Sequence, residues 1–71
     1  MNAPITAVTQ LEPRPLYGIG TVARLTGLKP DTLRVWERRY GFPQPLRDSL
    51  GDRLYPLDQV HKLRLIKRLM D

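Results

Sequence analysis

Apolar residues recur at helical spacing in three parts of the chain, and glycines or prolines separate these parts. The first part predicts a helix that Gly20 or Thr21 can start and that ends at Gly27, because glycine readily adopts the left-handed conformation that ends helices. The second part predicts a helix over residues 30–40, since Pro30 suits a first helical turn and Gly41 suits a helix end. The connection between the two helices is short and contains a glycine, which is the outline of a helix-turn-helix.

The segment after the second helix has the pattern of a β-hairpin. Its two prolines exclude a regular central strand where they stand, and the short segments 46–47 and 53–55 then flank a turn-forming stretch, DSLGD. By strand alternation we expect Leu54 to point inward, with Arg53 and Tyr55 on the opposite side. An isolated hairpin is barely stable in water, so this one must pack on the helices as a wing.

The last part of the chain predicts a third helix, PLDQVHKLRLIKRLMD, with a broad apolar stripe. The stripe consists of Val60, Leu63, Leu65, Ile66, Leu69 and Met70. A single contact face needs fewer apolar positions than this. We therefore expect these residues to be the front part of a longer protein.

The first 16 residues differ from the rest because they carry three prolines and no helical periodicity. We expect a disordered N-terminal arm over residues 1–16 and one folded domain over residues 17–71. The chain has no cysteine, so it has neither a disulfide framework nor a thiolate zinc site. It also lacks a targeting peptide and any run of the ~18 apolar residues that a membrane span needs, which predicts a cytoplasmic protein.

The charge balance points to a class of partner. Twelve Lys and Arg residues stand against seven Asp and Glu residues, a net charge of +5, and nine of the twelve cations are arginine. The planar guanidinium group suits bidentate contacts with phosphates and base edges. The balance favours nucleic acid as the partner, with a solvated cationic surface as the alternative. The sequence contains no nucleophile–base constellation, phosphate-cradling glycine loop or carboxylate pair, so it predicts no enzyme and no metal site.

A helical wheel divides the second helix into an apolar side and a basic side. Leu33, Trp36 and Tyr40 fall within about 60° of one another and form the apolar side. Arg34 and Arg38 lie on the opposite flank. The remaining arc is filled by Asp31, Thr32, Val35 and Arg39. We expect Trp36 to pack mainly in the core, with its indole N–H free to reach a phosphate at the helix edge.

Two stretches, YGIGTVARLTGLKPDTLRVWERRYG and RLYPLDQVHKLRLIKRL, closely resemble the DNA-binding domain of MerR-type transcriptional regulators. The variant WERRYGFPQPLR is similar to the CarA/MlrA-like branch of that family. The resemblance implies a mainly α winged helix-turn-helix that binds double-stranded DNA, with helix 30–40 in the major groove and wing 46–55 on the phosphate backbone. It also implies that the intact protein is a homodimer with an effector domain, which in this branch often resembles a cobalamin-binding one.

The resemblance also implies which residues meet DNA. Contacts of the second helix fall on Lys29, Asp31, Thr32, Arg34, Val35 and Trp36, with Arg38 and Arg39 added from the basic side. Wing contacts to phosphate fall on Arg53 and Tyr55, and backbone contacts of the first helix fall on Thr21 and Arg24. The chain departs from the family where Lys29 and Pro56 replace serines at helix starts, which weakens capping.

Two other functions remain open at this stage. The basic face could instead dock an acidic antirepressor protein that mimics DNA, as the CarA-like branch implies. The winged fold is also shared by excisionase-like architectural proteins, which bend DNA. Neither alternative requires a cofactor in this chain.

Overall fold

The computed structural model describes residues 15–71, which form three helices and a small antiparallel sheet around one core. The elements in chain order are strand β1 (Leu16–Gly18), helix α1 (Ile19–Thr26), helix α2 (Pro30–Tyr40), strand β2 (Leu46–Arg47), strand β3 (Arg53–Pro56) and helix α3 (Leu57–Met70). This is the predicted winged helix-turn-helix. The expected arm lies almost wholly outside the described residues, and the sheet begins at Leu16.

The turn between α1 and α2 is held by backbone geometry and by one buried hydroxyl. Gly27 has φ 81°, and its N–H donates to the carbonyl of Ala23 at 2.9 Å. The hydroxyl of Thr26 donates to the carbonyl of Val22 at 2.7 Å and accepts the N–H of Leu28 at 3.1 Å. The predicted end of α1 at Gly27 is therefore confirmed, and Thr26 adds a link from the helix into the turn.

The sheet has the strand order β1-β3-β2, with both neighbours antiparallel to β3. The predicted hairpin is confirmed, since Leu46 pairs with Leu54 and Arg47 with Arg53. Strand β1 was not predicted, because its three residues carry no alternation of their own and are fixed by pairing with β3 far along the chain. The wing is thereby anchored on the sheet as well as on the helices.

The core is small and draws on every helix and on the middle strand. The core cluster consists of Val22, Leu28, Leu33, Tyr55, Val60 and Leu63, all fully or nearly buried. Trp36 packs against this cluster while partly buried, so its expected core contact is confirmed. Helix α3 uses only the first half of its apolar stripe, since Leu69 is 79% exposed and Leu65 and Met70 are exposed as well.

Two expected orientations are wrong. Tyr55 is 0% exposed, whereas Leu54 is only partly buried, because the helices cover the face of β3 that carries Tyr55. Tyr40 was placed on the apolar side of α2 but is 67% exposed. It is the last residue of the helix, and the small core contacts α2 mainly through Leu33, with Trp36 packed against its edge.

Gly27→Ala should destabilise the domain, because a side chain in the left-handed region costs roughly 1–2 kcal/mol. A Cβ at this position would also lie 3.4 Å from Cε of Lys67. The free energy of unfolding, measured in urea, gives the size of the effect. Gly20→Ala is the control, since Gly20 lies within α1 with open space around it and should gain roughly 0.5–1 kcal/mol. Equal effects of the two substitutions would contradict the account of the turn.

Candidate nucleic-acid interface

Helix α2 presents a basic outer face that is opposite its core side. Arg38 and Arg39 are exposed, and Thr32, Arg34 and Val35 are partly buried. The helix begins at Pro30 with Lys29 as its N-cap residue, and Lys29 makes no side-chain capping bond, as its residue type predicts. The outer face of α2 (Asp31, Thr32, Arg34, Val35, Arg38 and Arg39) therefore combines two exposed cations with two small side chains of the kind that fit into a groove.

The pair of Arg34 and Asp31 belongs to this outer face. Nη1 of Arg34 lies 2.9 Å from Oδ1 of Asp31, and the two side chains are 42% and 91% exposed. Exposed pairs of this kind contribute only about 0–1 kcal/mol. Asp31 therefore orients Arg34, and another anion can replace Asp31 as the partner of Arg34 at little cost in free energy. A ligand that approaches the outer face therefore meets an arginine that is already oriented and can easily be released from Asp31.

The wing is joined to α2 by the carboxylate of Glu37. Oε1 of Glu37 accepts a hydrogen bond from Nε of Arg53 on β3 at 2.8 Å, and Oε2 lies 3.6 Å from Nη2 of Arg47 on β2. Glu37 and Arg53 are only about a quarter exposed, at 26% and 24%. The hydrogen bond to Glu37 raises the pKa of Arg53 above its ordinary value, against the smaller lowering by burial, so this guanidinium stays charged.

Sequence reasoning missed this cluster. The signal was present on the helical wheel, where Glu37 lies about 40° from Leu33 and therefore toward the core side and not the outer face. The partners of Glu37 could not be read from the sequence, because they follow it by 10 and 16 positions and depend on how the hairpin folds back.

The tip of the wing is fixed by hydrogen bonds within its own turn. Oδ1 of Asp48 accepts the backbone N–H groups of Leu50 and Asp52, both at 2.9 Å. Nη1 of Arg47 donates to the carbonyl of Gly51 at 3.0 Å. Asp48 thus has the turn-forming role typical of aspartate. Arg47, which was not among the predicted contact residues, is positioned by both Glu37 and the turn.

Tyr55 does not belong to the surface of the wing. Its hydroxyl is buried and has no hydrogen-bond partner among the described residues. Burial raises the pKa of this phenol above the ordinary tyrosine value, so it stays neutral. The expected contact of Tyr55 with phosphate does not fit this structure, because the side chain is buried and faces the helices.

The two predicted contacts of α1 lie on its surface and interact with each other. Nη2 of Arg24 donates to the hydroxyl of Thr21 at 3.2 Å, in the half of the helix-turn-helix that precedes α2. Within residues 15–71, no cluster of three His, Cys, Asp or Glu side chains is arranged to hold a metal ion. In the same part of the chain, no helix has the length and apolar composition needed to cross a membrane. The candidate site is thus a cationic surface of α1, α2 and the wing.

Comparison with known proteins agrees with this geometry. The family described as MerR HTH family regulatory protein matches residues 17–71. The chain is 49% identical over 53 residues to the HTH-type transcriptional repressor CarA of Myxococcus xanthus. The matched region covers 73% of this chain and 18% of CarA. It is 46% identical over 56 residues to the HTH-type transcriptional regulator MlrA of Escherichia coli, and this match covers 79% of this chain and 23% of MlrA.

A more distant relative is the mercuric resistance operon regulatory protein of Bacillus cereus, 34% identical over 55 residues, or 78% of this chain and 42% of the relative. The expected resemblance to the CarA/MlrA-like branch is confirmed by these matches. The chain spans about a fifth of the length of CarA and MlrA, so the comparison concerns one domain of those proteins.

Tyr55→Phe should keep or raise stability, because it removes a buried hydroxyl that has no hydrogen-bond partner within residues 15–71, and the gain is at most about 1 kcal/mol. The native state holds the phenolic proton at a pH where the unfolded state loses it. Stability from this group is therefore present below the ordinary pKa of about 10 and is lost as the pH rises through the higher folded pKa.

Urea unfolding at several alkaline pH values measures this difference. The variant should lack the part of the alkaline destabilisation that comes from Tyr55. Tyr40→Phe is the control, since it removes an exposed hydroxyl and should leave the free energy of unfolding unchanged. A loss of several kcal/mol in Tyr55→Phe would mean that the hydroxyl has a partner that stabilises the native state.

Proposed function

Since the chain belongs to the MerR HTH family of regulatory proteins, we propose that it binds double-stranded DNA in a sequence-specific manner, as the DNA-reading domain of a transcriptional regulator. Helix α2 enters the major groove and meets base edges, while the wing contacts the phosphate backbone beside it. In this fold class the outward residues of the second helix read the bases. The domain acts by binding and performs no catalysis.

The observation that carries the proposal is the arrangement of cations on two connected elements. Arg38 and Arg39 are exposed on the outer face of α2, and Arg34 is held there by a weak surface pair. Arg47 and Arg53 extend this positive surface onto the wing, and Glu37 fixes them relative to the helix. Phosphate contacts set the position of a protein on the duplex, and base contacts set its sequence preference.

Individual roles follow from the exposure of each side chain. We assign base reading to the outer face of α2, above all to Arg34, whose guanidinium suits a bidentate contact with guanine. Backbone contacts are assigned to Lys29, Thr21 and Arg24 beside the helix-turn-helix, and to Arg47 and Arg53 on the wing. Trp36 retains the proposed contact of its indole N–H with a phosphate, as a side chain partly buried at the core's edge.

Two alternatives use the same surface. An acidic antirepressor protein that mimics DNA would dock on the outer face of α2 and should compete with a duplex for it. An excisionase-like architectural protein would bend DNA without a palindromic preference. The expected homodimer, and an effector domain of the cobalamin-binding kind, concern parts of the relatives that this chain does not match, and they stay proposals for the longer protein.

Selection of bound sites from random duplexes tests the proposed function, with affinities for the recovered site then measured by fluorescence anisotropy. Arg34→Ala should cost about 1–3 kcal/mol on the recovered site and relax the base preference at one position, because a bidentate contact is lost. Arg68→Ala is the control, since it removes an equally positive exposed side chain from the last turn of α3.

The control should weaken binding much less and leave the base preference intact. The assignment of the outer face would be wrong if both variants lost affinity equally on all duplexes. Recovery of no preferred sequence at all would contradict sequence-specific binding itself.

A further inference from the structure

One carboxylate faces two guanidinium groups where α2 meets the wing. Glu37 holds Arg53 on β3 through Oε1 and approaches Arg47 on β2 through Oε2, so its two oxygens contact different strands of the hairpin. The three side chains carry a net charge of +1 instead of the +2 that the two arginines alone would present. An acidic side chain here lowers the attraction for any phosphate, which is an unexpected feature on a surface that binds DNA.

We propose that Glu37 is a specificity-determining positioning residue, which lowers non-specific affinity for DNA and makes the wing bind phosphate only in register with α2. This inference rests on the proposed function and adds a role for a residue that does not itself need to contact DNA. Glu37 acts through Arg47 and Arg53, whose positions it sets.

The geometry of Arg53 supports the positioning role. Glu37 uses the Nε–H of Arg53, and the described contacts include no protein acceptor for its two terminal nitrogens. A guanidinium held at Nε keeps its outer edge available for an anion, in one orientation instead of many. Because Arg53 is only about a quarter exposed, its reach is limited to a phosphate that α2 brings to the edge of the cluster.

Arg47 is restrained in a similar way from two sides. Its Nη1 donates to the carbonyl of Gly51, and its Nη2 lies 3.6 Å from Glu37. Without Glu37, both arginines would keep their charge and gain rotational freedom, so each could follow phosphates in many docking positions. Non-specific binding depends on the number of phosphates neutralised, whereas discrimination requires that phosphate and base contacts form together.

A purely structural ion pair would behave differently. Its loss would lower the free energy of unfolding, and it would weaken cognate and non-cognate binding by the same factor. The proposal instead predicts that loss of Glu37 strengthens binding to non-cognate DNA and weakens binding to cognate DNA. The ratio of cognate to non-cognate affinity therefore separates the two roles, and the salt dependence of non-specific binding adds a second readout.

The test compares Glu37→Gln with the wild-type chain on the selected site and on a duplex of scrambled sequence, over a series of salt concentrations. Binding to the scrambled duplex should tighten, with a salt slope steeper by about one unit, as expected for one more neutralised phosphate. The ratio of the two affinities should fall about tenfold, which corresponds to about 1.4 kcal/mol.

Asp58→Asn is the matched control, because it makes the same charge change on the first turn of α3 and Asp58 forms no ion pair with the wing within residues 15–71. The control should tighten both duplexes by similar factors and keep their ratio. If Glu37→Gln behaves like the control, the proposal is wrong. A wild-type chain that does not discriminate between the duplexes would contradict the proposed function and not this inference alone.

Glu37→Asp keeps the charge but shortens the side chain by one methylene, so it breaks the reach to the wing. It should lower the affinity ratio without tightening non-specific binding. Urea unfolding of each variant shows whether it is folded under the binding conditions, and Glu37→Asp provides the test if Glu37→Gln is not. Wild-type discrimination by a folded Glu37→Asp variant would overturn the positioning role.

Discussion

The contact of Glu37 with both strands of the hairpin holds the wing against α2, the two elements that form most of the candidate interface. A two-stranded hairpin has little stability of its own, and this one receives help from β1, from the buried ring of Tyr55 and from the ion cluster at Glu37. Within residues 15–71, the ion cluster links the wing to α2 through the same side chains to which the proposed phosphate contacts are assigned. The orientation of the wing and its proposed phosphate contacts therefore depend on the same three residues.

The wing is held in place both by burial of Tyr55 and by the charged contacts of Arg53. Tyr55 fills the core beneath β3 and sets how deeply the strand lies against the helices. Arg53, two residues earlier on the same face of the strand, lies at the edge of that packing, where a charged side chain can still reach water. Because side chains alternate along β3, Tyr55 and Arg53 lie on the same face of the strand, toward α2. This places Arg53 within hydrogen-bond distance of Glu37.

The helix boundaries could be predicted because their signals are local. Gly27, Pro30 and Gly41 mark ends and starts through their own backbone preferences, and the hairpin register follows from the turn between its strands. The outward direction of Arg38 and Arg39 also follows from helical periodicity alone. These features needed no knowledge of which elements pack together.

The misplaced residues are those whose surroundings come from distant parts of the chain. Tyr55 was placed on the solvent side because strand alternation gives two faces without saying which one the helices cover. Tyr40 was placed in the core because a wheel treats every turn of α2 alike, although the small core reaches only part of the helix. Strand β1 depends on pairing across more than half of the domain. The partners of Glu37 depend on the folded hairpin.

Residual dipolar couplings of backbone amides in α2 and in strands β2 and β3 test the central claim most directly, which is that helix and wing form one rigid surface. A single alignment tensor should fit both elements of the free domain, with the relative orientation seen in the structure. Two distinct tensors, or systematically reduced couplings in the wing, would show that the wing moves independently of α2 and would contradict the account.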